Sequence, residues 1–153
     1  MEQSNNRPDQ SQRLIGALLR VPFFKVIDTI YKGLLDAGFD DLRQAHLAVW
    51  RHIDTEHGSR LTELADEAQM TKQSMGYLVD YLEERGYLER VPDMEDGRAR
   101  RVRLTARGDA VMDVARRVVK GLEEEWGHLI GKRRMEQMMA ALRELVSILE
   151  SRK

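Results

Sequence analysis

The amino-acid sequence predicts a mainly α-helical domain that carries one small β-hairpin. Apolar residues recur at helical spacing along most of the 153 residues. Only one stretch, from Tyr87 to Leu104, changes to strand-like alternation on both sides of a turn-rich segment. A chain of this length suits one compact domain with a core of its own.

The first predicted helices follow a polar, aperiodic tail at residues 1–11, which we expect to be disordered. Apolar stripes lie on both sides of Pro22, and a proline inside a helix removes a hydrogen bond. We therefore expect a kink or short break near Val21 and a second helix from Pro22 that ends at Gly38. The next helix is predicted to begin at Asp40 or Asp41 and to bury one face, made of Leu42, Ala45, Val49 and Ile53.

Two short helices joined by a tight turn at Gln69 and Met70 come next. Thr62 is the expected cap of the first helix and Thr71 of the second, which Gly86 ends. The second helix is predicted to bury Met75, Leu78, Val79 and Leu82. Its predicted outward side chains are Lys72, Gln73, Ser74, Tyr77 and Tyr81.

The hairpin is predicted from two strands, Tyr87–Val91 and Arg101–Leu104, with the turn-rich residues 92–97 following the first. Thr105 then caps a long helix, whose end is marked by Gly127 and Gly131. The final helix has an apolar stripe of Met135, Met138, Met139, Leu142, Leu145, Val146 and Leu149.

The charge of the chain is distributed unevenly along the sequence. The formal net charge is −1, but residues 36–67 carry three Lys/Arg and eight Asp/Glu, while residues 97–107 carry five Arg and no acid. Phosphate affinity depends on the local field, so this short basic segment can bind a polyanion. The absence of cysteine excludes disulfides and thiolate metal sites.

Two helices joined by a tight turn and followed by a hairpin indicate a helix-turn-helix with a wing. The second helix of such a pair lies in the DNA major groove. Its exposed first turns have side chains suited to bases and phosphates: Thr71, Lys72, Gln73, Ser74 and Tyr77. Arg98 and Arg100 lie at the hairpin tip, where they can enter the minor groove, and Asp96 can hold a guanidinium in place. The alternative is that these are ordinary solvated side chains.

From about Leu42 to Met112 the sequence resembles the MarR family of bacterial transcription regulators. Four segments carry the resemblance: Leu61–Ala65, Val79–Arg90, Asp96–Arg100 and Leu104–Gly108. The resemblance implies a triangular dimer that binds a pseudo-palindromic operator, commonly as a repressor released by a small aromatic or phenolic ligand. It also places Ser74 on the recognition helix and Arg98 at the wing arginine. Gly76-Tyr77 departs from the family pattern, so base preference is not transferable.

The predicted domain organisation has three parts. Residues 39–105 form the winged helix-turn-helix, and residues 12–38 and 106–153 form dimerisation helices. The terminal helices carry broader apolar faces than the outer helices of a small monomer need, and the methionines of the last helix provide an adaptable surface. The alternative is that these faces form an intrachain core.

Tyr31, His46 and Trp50 are candidates for a ligand pocket between the dimer body and the DNA-binding lobe, because His46 and Trp50 lie four residues apart. The alternative is plain packing between the first helices. The histidines lack metal-ligand spacing, and the chain lacks a phosphate loop, a nucleophile elbow and a convincing acid–base pair. We therefore expect no metal, no cofactor and no enzymatic activity.

Taken together, the sequence predicts a homodimeric, sequence-specific DNA-binding regulator with double-stranded DNA and a possible small-molecule effector as partners. Two alternatives stay open: a ligand-independent DNA-binding protein, and a winged-helix module that binds other proteins. Since no apolar run approaches the length of a membrane span and no signal peptide is visible, we expect a cytoplasmic protein.

Overall fold

The computed structural model describes residues 14–152, so the predicted tail at residues 1–11 lies outside the described range. Six α-helices and three short strands follow one another in the described chain. Their bounds are α1 Ile15–Asp36, α2 Leu47–His52, β1 Ser59–Arg60, α3 Leu61–Glu67, α4 Lys72–Glu84, β2 Leu88–Pro92, β3 Arg100–Leu104, α5 Ala106–Ile130 and α6 Lys132–Glu150. The predicted fold class, mainly helical with a small β wing, is confirmed.

The three strands form one antiparallel sheet in the order β1-β3-β2. Strand β2 pairs with β3 from Leu88 opposite Leu104 to Pro92 opposite Arg100, as the predicted hairpin requires. The two-residue β1 adds Ser59 opposite Val102 on the other side of β3. The sequence did not predict β1, because two residues are too few to show a period.

The main core lies between the helix pair α3–α4, the sheet and the first turns of α5. Its fully buried side chains include Leu34, Leu42, Val49, Leu64, Met75, Val79, Leu82, Tyr87, Val102 and Val111. Beyond this core, α1 packs along α5, and α6 folds back onto α5. Only Leu34 of α1 and Met135 of α6 are buried, so both helices leave most of their apolar side chains exposed.

Before α2, two predicted helix boundaries and one predicted core residue are wrong. Helix α1 runs unbroken through Pro22, because the loss of one N–H leaves the hydrogen bonds of the turns on both sides in place. Neither Asp40 nor Asp41 caps a helix, since a 3-10 turn at Gln44–His46 leads into α2. Ala45, in that turn, is exposed rather than buried.

Thr62 does not cap α3, which begins one residue earlier. The backbone N–H of Arg60 donates to the Glu63 carboxylate at 2.7 Å, so an acid inside the first turn reaches back to the chain before the helix. Thr71 and Thr105 do cap α4 and α5, as predicted. Gly131, at φ +91°, follows the end of α5, whereas Gly127 lies inside that helix.

Candidate nucleic-acid interface

The first turn of α4 projects into solvent with its backbone held by a cap. The Thr71 hydroxyl accepts a hydrogen bond from the backbone N–H of Ser74 at 3.1 Å and donates to the Ser74 hydroxyl at 2.8 Å. Lys72, Gln73 and Ser74 are exposed. A fixed first turn with free polar side chains is the geometry that a recognition helix needs.

Tyr77, one turn further along α4, remains 67% exposed although it is a large aromatic residue. The Gln73 amide donates to its hydroxyl at 3.2 Å, so the two side chains form one polar surface. Gly76 lies between them in sequence, and a Cβ there would meet only the Leu61 side chain at 3.8 Å. Packing within the lobe therefore does not require glycine at position 76.

Tyr81 does not face outward, contrary to the prediction. Its ring is half-buried and stacks on His46 with 4.2 Å between centroids, and its hydroxyl donates to the backbone carbonyl of Asp41 at 2.5 Å. The Arg85 guanidinium lies over the Tyr81 ring, 3.5 Å from its centroid. Tyr81 thus anchors α4 to the chain before α2 instead of lining the exposed face.

Two acidic side chains of α4, Asp80 and Glu83, pair with the first strand of the wing. Arg90 on β2 donates to Asp80 at 2.5 Å and also contacts the Glu83 carboxylate. These ion pairs reduce the negative field beside the exposed turn of α4. The sequence did not reveal Arg90 as their partner, because Arg90 is 10 residues from Asp80 along the chain.

The wing turn, residues 93–99, presents Arg98 to solvent, and Arg100 is exposed at the start of β3. The prediction that Asp96 holds a guanidinium is wrong. Its carboxylate instead accepts the backbone N–H of Arg98 at 3.1 Å. The acid therefore shapes the turn and leaves the arginine side chain free to reach outward.

Two of the five arginines in residues 97–107 are engaged within the lobe. Arg101 donates to Asp93 at 3.1 Å and to the Gly58 carbonyl at 2.9 Å. Arg107 donates to Asp41 at 3.2 Å and to the Tyr87 hydroxyl at 2.9 Å. Counting basic residues in the sequence could not separate these two from Arg98 and Arg100.

The three residues predicted to line a ligand pocket are in packing contacts. The Tyr31 hydroxyl donates to the Leu42 carbonyl at 3.4 Å, and the Trp50 indole donates to the Gly108 carbonyl at 3.1 Å. His46 is buried, and its Nδ1 accepts the backbone N–H of Arg43 at 2.9 Å. Burial, together with nearby Arg43 and Arg85, lowers the pKa of His46 below its usual value.

A separate apolar cavity opens between α1, α5 and α6, with a volume of about 910 Å³. Its walls are almost entirely hydrophobic. They comprise Ile15, Leu18, Leu19, Pro22, Phe23, Val26, Val119, Leu122, Trp126, Met135, Met138, Met139 and Leu142, together with Arg20 and Glu123. We call this surface the terminal-helix groove.

Two further properties concern the described part of the chain, residues 14–152. Within it, no three histidine or acidic side chains lie close enough together to hold a metal ion. None of its helices combines the length and the low charge needed to cross a membrane.

Comparison with known proteins assigns a family to this arrangement. The MarR family model matches residues 40–99, which include the helix pair and most of the wing. Transcriptional regulator HosA of Escherichia coli is 31% identical over 108 residues, covering 70% of this chain and 79% of HosA. The match with HosA thus extends beyond the residues of the family model.

Two solved structures extend the likeness to nearly the whole chain. A transcriptional regulator of Thermotoga maritima is 28% identical with a TM-score of 0.66, covering 89% of this chain and 94% of its own. CouR of Rhodococcus jostii, solved with p-coumaroyl-CoA bound, is 25% identical with a TM-score of 0.65, covering 91% and 95%. Since the MarR family model matches the helix pair and HosA is 31% identical over most of both chains, this chain belongs to the MarR family and is a DNA-binding transcriptional regulator, not an enzyme.

Proposed function

We propose that this protein is a homodimeric repressor that binds a pseudo-palindromic operator and is released by a small aromatic ligand. The observation that carries the proposal is the joint exposure of the α4 first turn and of Arg98 on the wing. In this proposal residues 39–105 bind DNA, and residues 12–38 and 106–153 form the dimer body. Two-fold symmetry then places the recognition helices about 34 Å apart, one turn of the double helix.

Each exposed side chain has a role that its chemistry suits. In the major groove, Gln73 pairs with adenine and Ser74 contacts a base or a phosphate, while Lys72 and the Tyr77 hydroxyl bind phosphates. Thr71 caps the turn that carries them and is itself exposed, so it can add a contact to a phosphate. Arg98 enters the minor groove, and Arg100 binds the adjoining phosphate.

Dimerisation is supported by the apolar side chains that α1 and α6 leave exposed. Leu18, Phe23 and Phe24 on α1 are half-exposed or more, as are Val146 and Leu149 on α6. Continuous apolar patches of this kind are uncommon on monomers and mark association surfaces. A second copy of the chain supplies the same helices, so it can fill the terminal-helix groove through a two-fold contact.

Leu19→Glu tests this association, because a carboxylate on the wall of the groove loses its hydration when a partner covers it. Sedimentation equilibrium is expected to give a dimer for the wild type and a monomer for the variant. Glu136→Gln, an exposed change on α6, is the control and keeps the dimer. A wild-type monomer at micromolar concentration contradicts the dimer.

DNA binding is tested with a duplex that the wild-type protein selects from a random pool. If Lys72 and Arg100 of both lobes contact phosphates, the logarithm of the binding constant falls with the logarithm of the salt concentration with a slope of about −4. Arg98→Ala should weaken binding by roughly five- to 100-fold and leave the melting temperature unchanged. Arg133→Ala, which removes an exposed arginine of α6, is the matched control.

The same assay separates the proposal from its alternatives. Absence of duplex binding at low salt favours a module that binds proteins. Binding that no member of a panel of aromatic acids and their thioesters weakens favours a ligand-independent DNA-binding protein. Release by one compound supports a ligand-controlled repressor, provided that this compound binds one arrangement of the lobes better than the other.

The effector pocket is proposed at Tyr31, His46 and Trp50, between the dimer helices and the lobe. CouR was solved with a ligand that carries a phenol ring, which supports an aromatic effector. Because Trp50 and His46 already have hydrogen-bond partners here, the ligand must displace those contacts on entry. Trp50→Phe should therefore change the ligand concentration needed for release more than it changes DNA affinity.

A further inference from the structure

Asp93, at the start of the wing turn, is the one buried carboxylate among residues 14–152. Its side chain has no solvent-exposed surface, whereas the neighbouring Met94 is 98% exposed. A buried charge is costly unless partners replace the water that it loses. The partners of Asp93 therefore indicate what the residue does.

Four donors satisfy the Asp93 carboxylate. Its Oδ2 accepts from Nε of Arg60 at 2.6 Å and from Nε of Arg101 at 3.1 Å. Its Oδ1 accepts the backbone N–H groups of Glu95 at 2.8 Å and Asp96 at 3.3 Å. The hydrogen bond from Arg60, followed by that from the Glu95 backbone, holds the pKa of Asp93 well below its usual value.

These partners come from three separate pieces of the lobe. Arg60 belongs to β1 and directly precedes α3, Arg101 belongs to β3, and the two backbone donors belong to the wing turn. Arg101 also donates to the Gly58 carbonyl at 2.9 Å. One carboxylate thus joins the wing to the chain from which the helix pair starts.

Arg90 of β2 ties one side of the wing to α4, but the wing has few attachments other than Asp93 on the side of β1. Strand β1 contributes only two residues to the sheet, and an isolated two-stranded hairpin is marginally stable in water. We propose that Asp93 is a positioning residue that fixes the direction of the wing relative to α4, so that Arg98 and the recognition helix reach DNA together. The inference rests on the proposed DNA-binding function, and Asp93 itself does not touch DNA.

Asp93→Asn separates the contribution of the two arginine contacts from that of the two backbone contacts in the wing turn. The amide oxygen still accepts from the wing-turn backbone, whereas the amide NH₂ faces two guanidinium donors and cannot accept from them. The turn is therefore kept and the ties to Arg60 and Arg101 are lost. Asp113→Asn, which removes an exposed ion pair with Arg116 on α5, is the matched control.

The direction of the wing is measured without DNA. The chain has no cysteine, so spin labels are attached through Met94→Cys and Gln73→Cys, and labelled protein is diluted with unlabelled protein to suppress distances between subunits. Pulsed electron paramagnetic resonance measures the distance between the two labels. It should give one narrow distribution when no further change is made and with Asp113→Asn, and a broad distribution with Asp93→Asn. An unchanged distribution in a folded Asp93→Asn protein overturns the proposal.

The consequence for DNA is measured on the duplex selected by the wild-type protein. Asp93→Asn should weaken binding on the order of tenfold, but by no more than about twofold when Arg98→Ala is already present, because both changes remove the same wing contact. An equal loss in both backgrounds contradicts action through the wing. If the wild type binds no duplex, the proposed function fails while the label distances still decide the role of Asp93.

Arg60→Gln is a second, milder variant that still tests the proposal if Asp93→Asn fails to fold. It removes one of the two guanidinium ties and leaves the carboxylate with Arg101 and the turn backbone. The expected result is a smaller broadening of the label distribution and a smaller loss of DNA affinity than in Asp93→Asn. A distribution and an affinity identical to those of the wild type count against the proposal.

Discussion

Replacing Gly108 by alanine probes the junction where β2 meets the first turn of α5. A Cβ on Gly108 would lie 2.3 Å from the carbonyl oxygen of Tyr87, far inside the 3.4 Å at which ordinary contact begins. That oxygen accepts the backbone N–H of Thr105 at 3.1 Å, and the Gly108 carbonyl accepts the Trp50 indole at 3.1 Å. Neither group can move away without weakening a hydrogen bond.

The expected cost follows from these contacts. Overpacking a well-packed site costs about 1–3 kcal/mol, and weakening the Thr105 hydrogen bond adds about 1 kcal/mol. The higher helix propensity of alanine offsets this cost by about 1 kcal/mol in the free energy of unfolding. We therefore expect Gly108→Ala to lower the free energy of unfolding by about 1–3 kcal/mol and the melting temperature by roughly 2–10 °C.

Gly121→Ala, in the same helix, is the matched control. A Cβ there has no neighbour within 4 Å, so the same substitution should raise the free energy of unfolding by up to about 1 kcal/mol. Both variants are compared with the wild type by urea unfolding at one protein concentration, because association would couple stability to concentration. A Gly108→Ala protein as stable as the wild type, or a shift of the same sign in both variants, would refute the reasoning.

Two further predictions concern the helix junctions. Burial and the hydrogen bond to Asp41 raise the pKa of Tyr87 to about 12, so the unfolded chain releases this proton first and stability is lost as the pH rises from 10 to 12. Urea titrations across that range should show a smaller loss in the free energy of unfolding for Tyr87→Phe than for the wild type. An equal loss in both proteins would contradict the assignment of the pH dependence to Tyr87. Gly33→Ala would place a Cβ 2.4 Å from a Val118 methyl, so it should destabilise the protein, and adding Val118→Ala should recover at least half of that loss in thermal melting.

The features predicted correctly from the sequence depend on neighbours within a few residues. Thr71 and Thr105 each accept the backbone N–H three residues ahead, and this spacing can be read directly from the sequence. Gly86 adopts φ +73° after α4, a conformation that glycine adopts without strain. Thr62 is not the cap of α3, because the Glu63 carboxylate accepts the backbone N–H of Arg60 and the helix begins before Thr62. The residue types alone do not show which of these two local arrangements is the more stable.

The features missed from the sequence depend on partners far along the chain. Tyr81 was placed outward because its helical position borders the exposed face, but Asp41, 40 residues earlier, accepts its hydroxyl. Arg101 alternates with buried Val102 as an outward strand residue should, yet Asp93 and Gly58 draw it into the lobe. Periodicity gives the side of an element on which a residue lies, whereas its partner there depends on the tertiary fold.

This distinction matters most for charge, because the charge of the proposed DNA-binding face depends on which side chains stay unpaired within the lobe. Asp80 and Glu83 would repel phosphates beside α4, but Arg90 pairs with both. Asp93 would do the same beside the wing, but Arg60 and Arg101 enclose it. Each of these arginines offsets an acidic charge near the proposed DNA-binding face, and its own charge is engaged within the lobe. A chain with a net charge of −1 can therefore present basic side chains on this face, since Asp80, Glu83 and Asp93 are paired within the lobe while Arg98 and Arg100 are exposed.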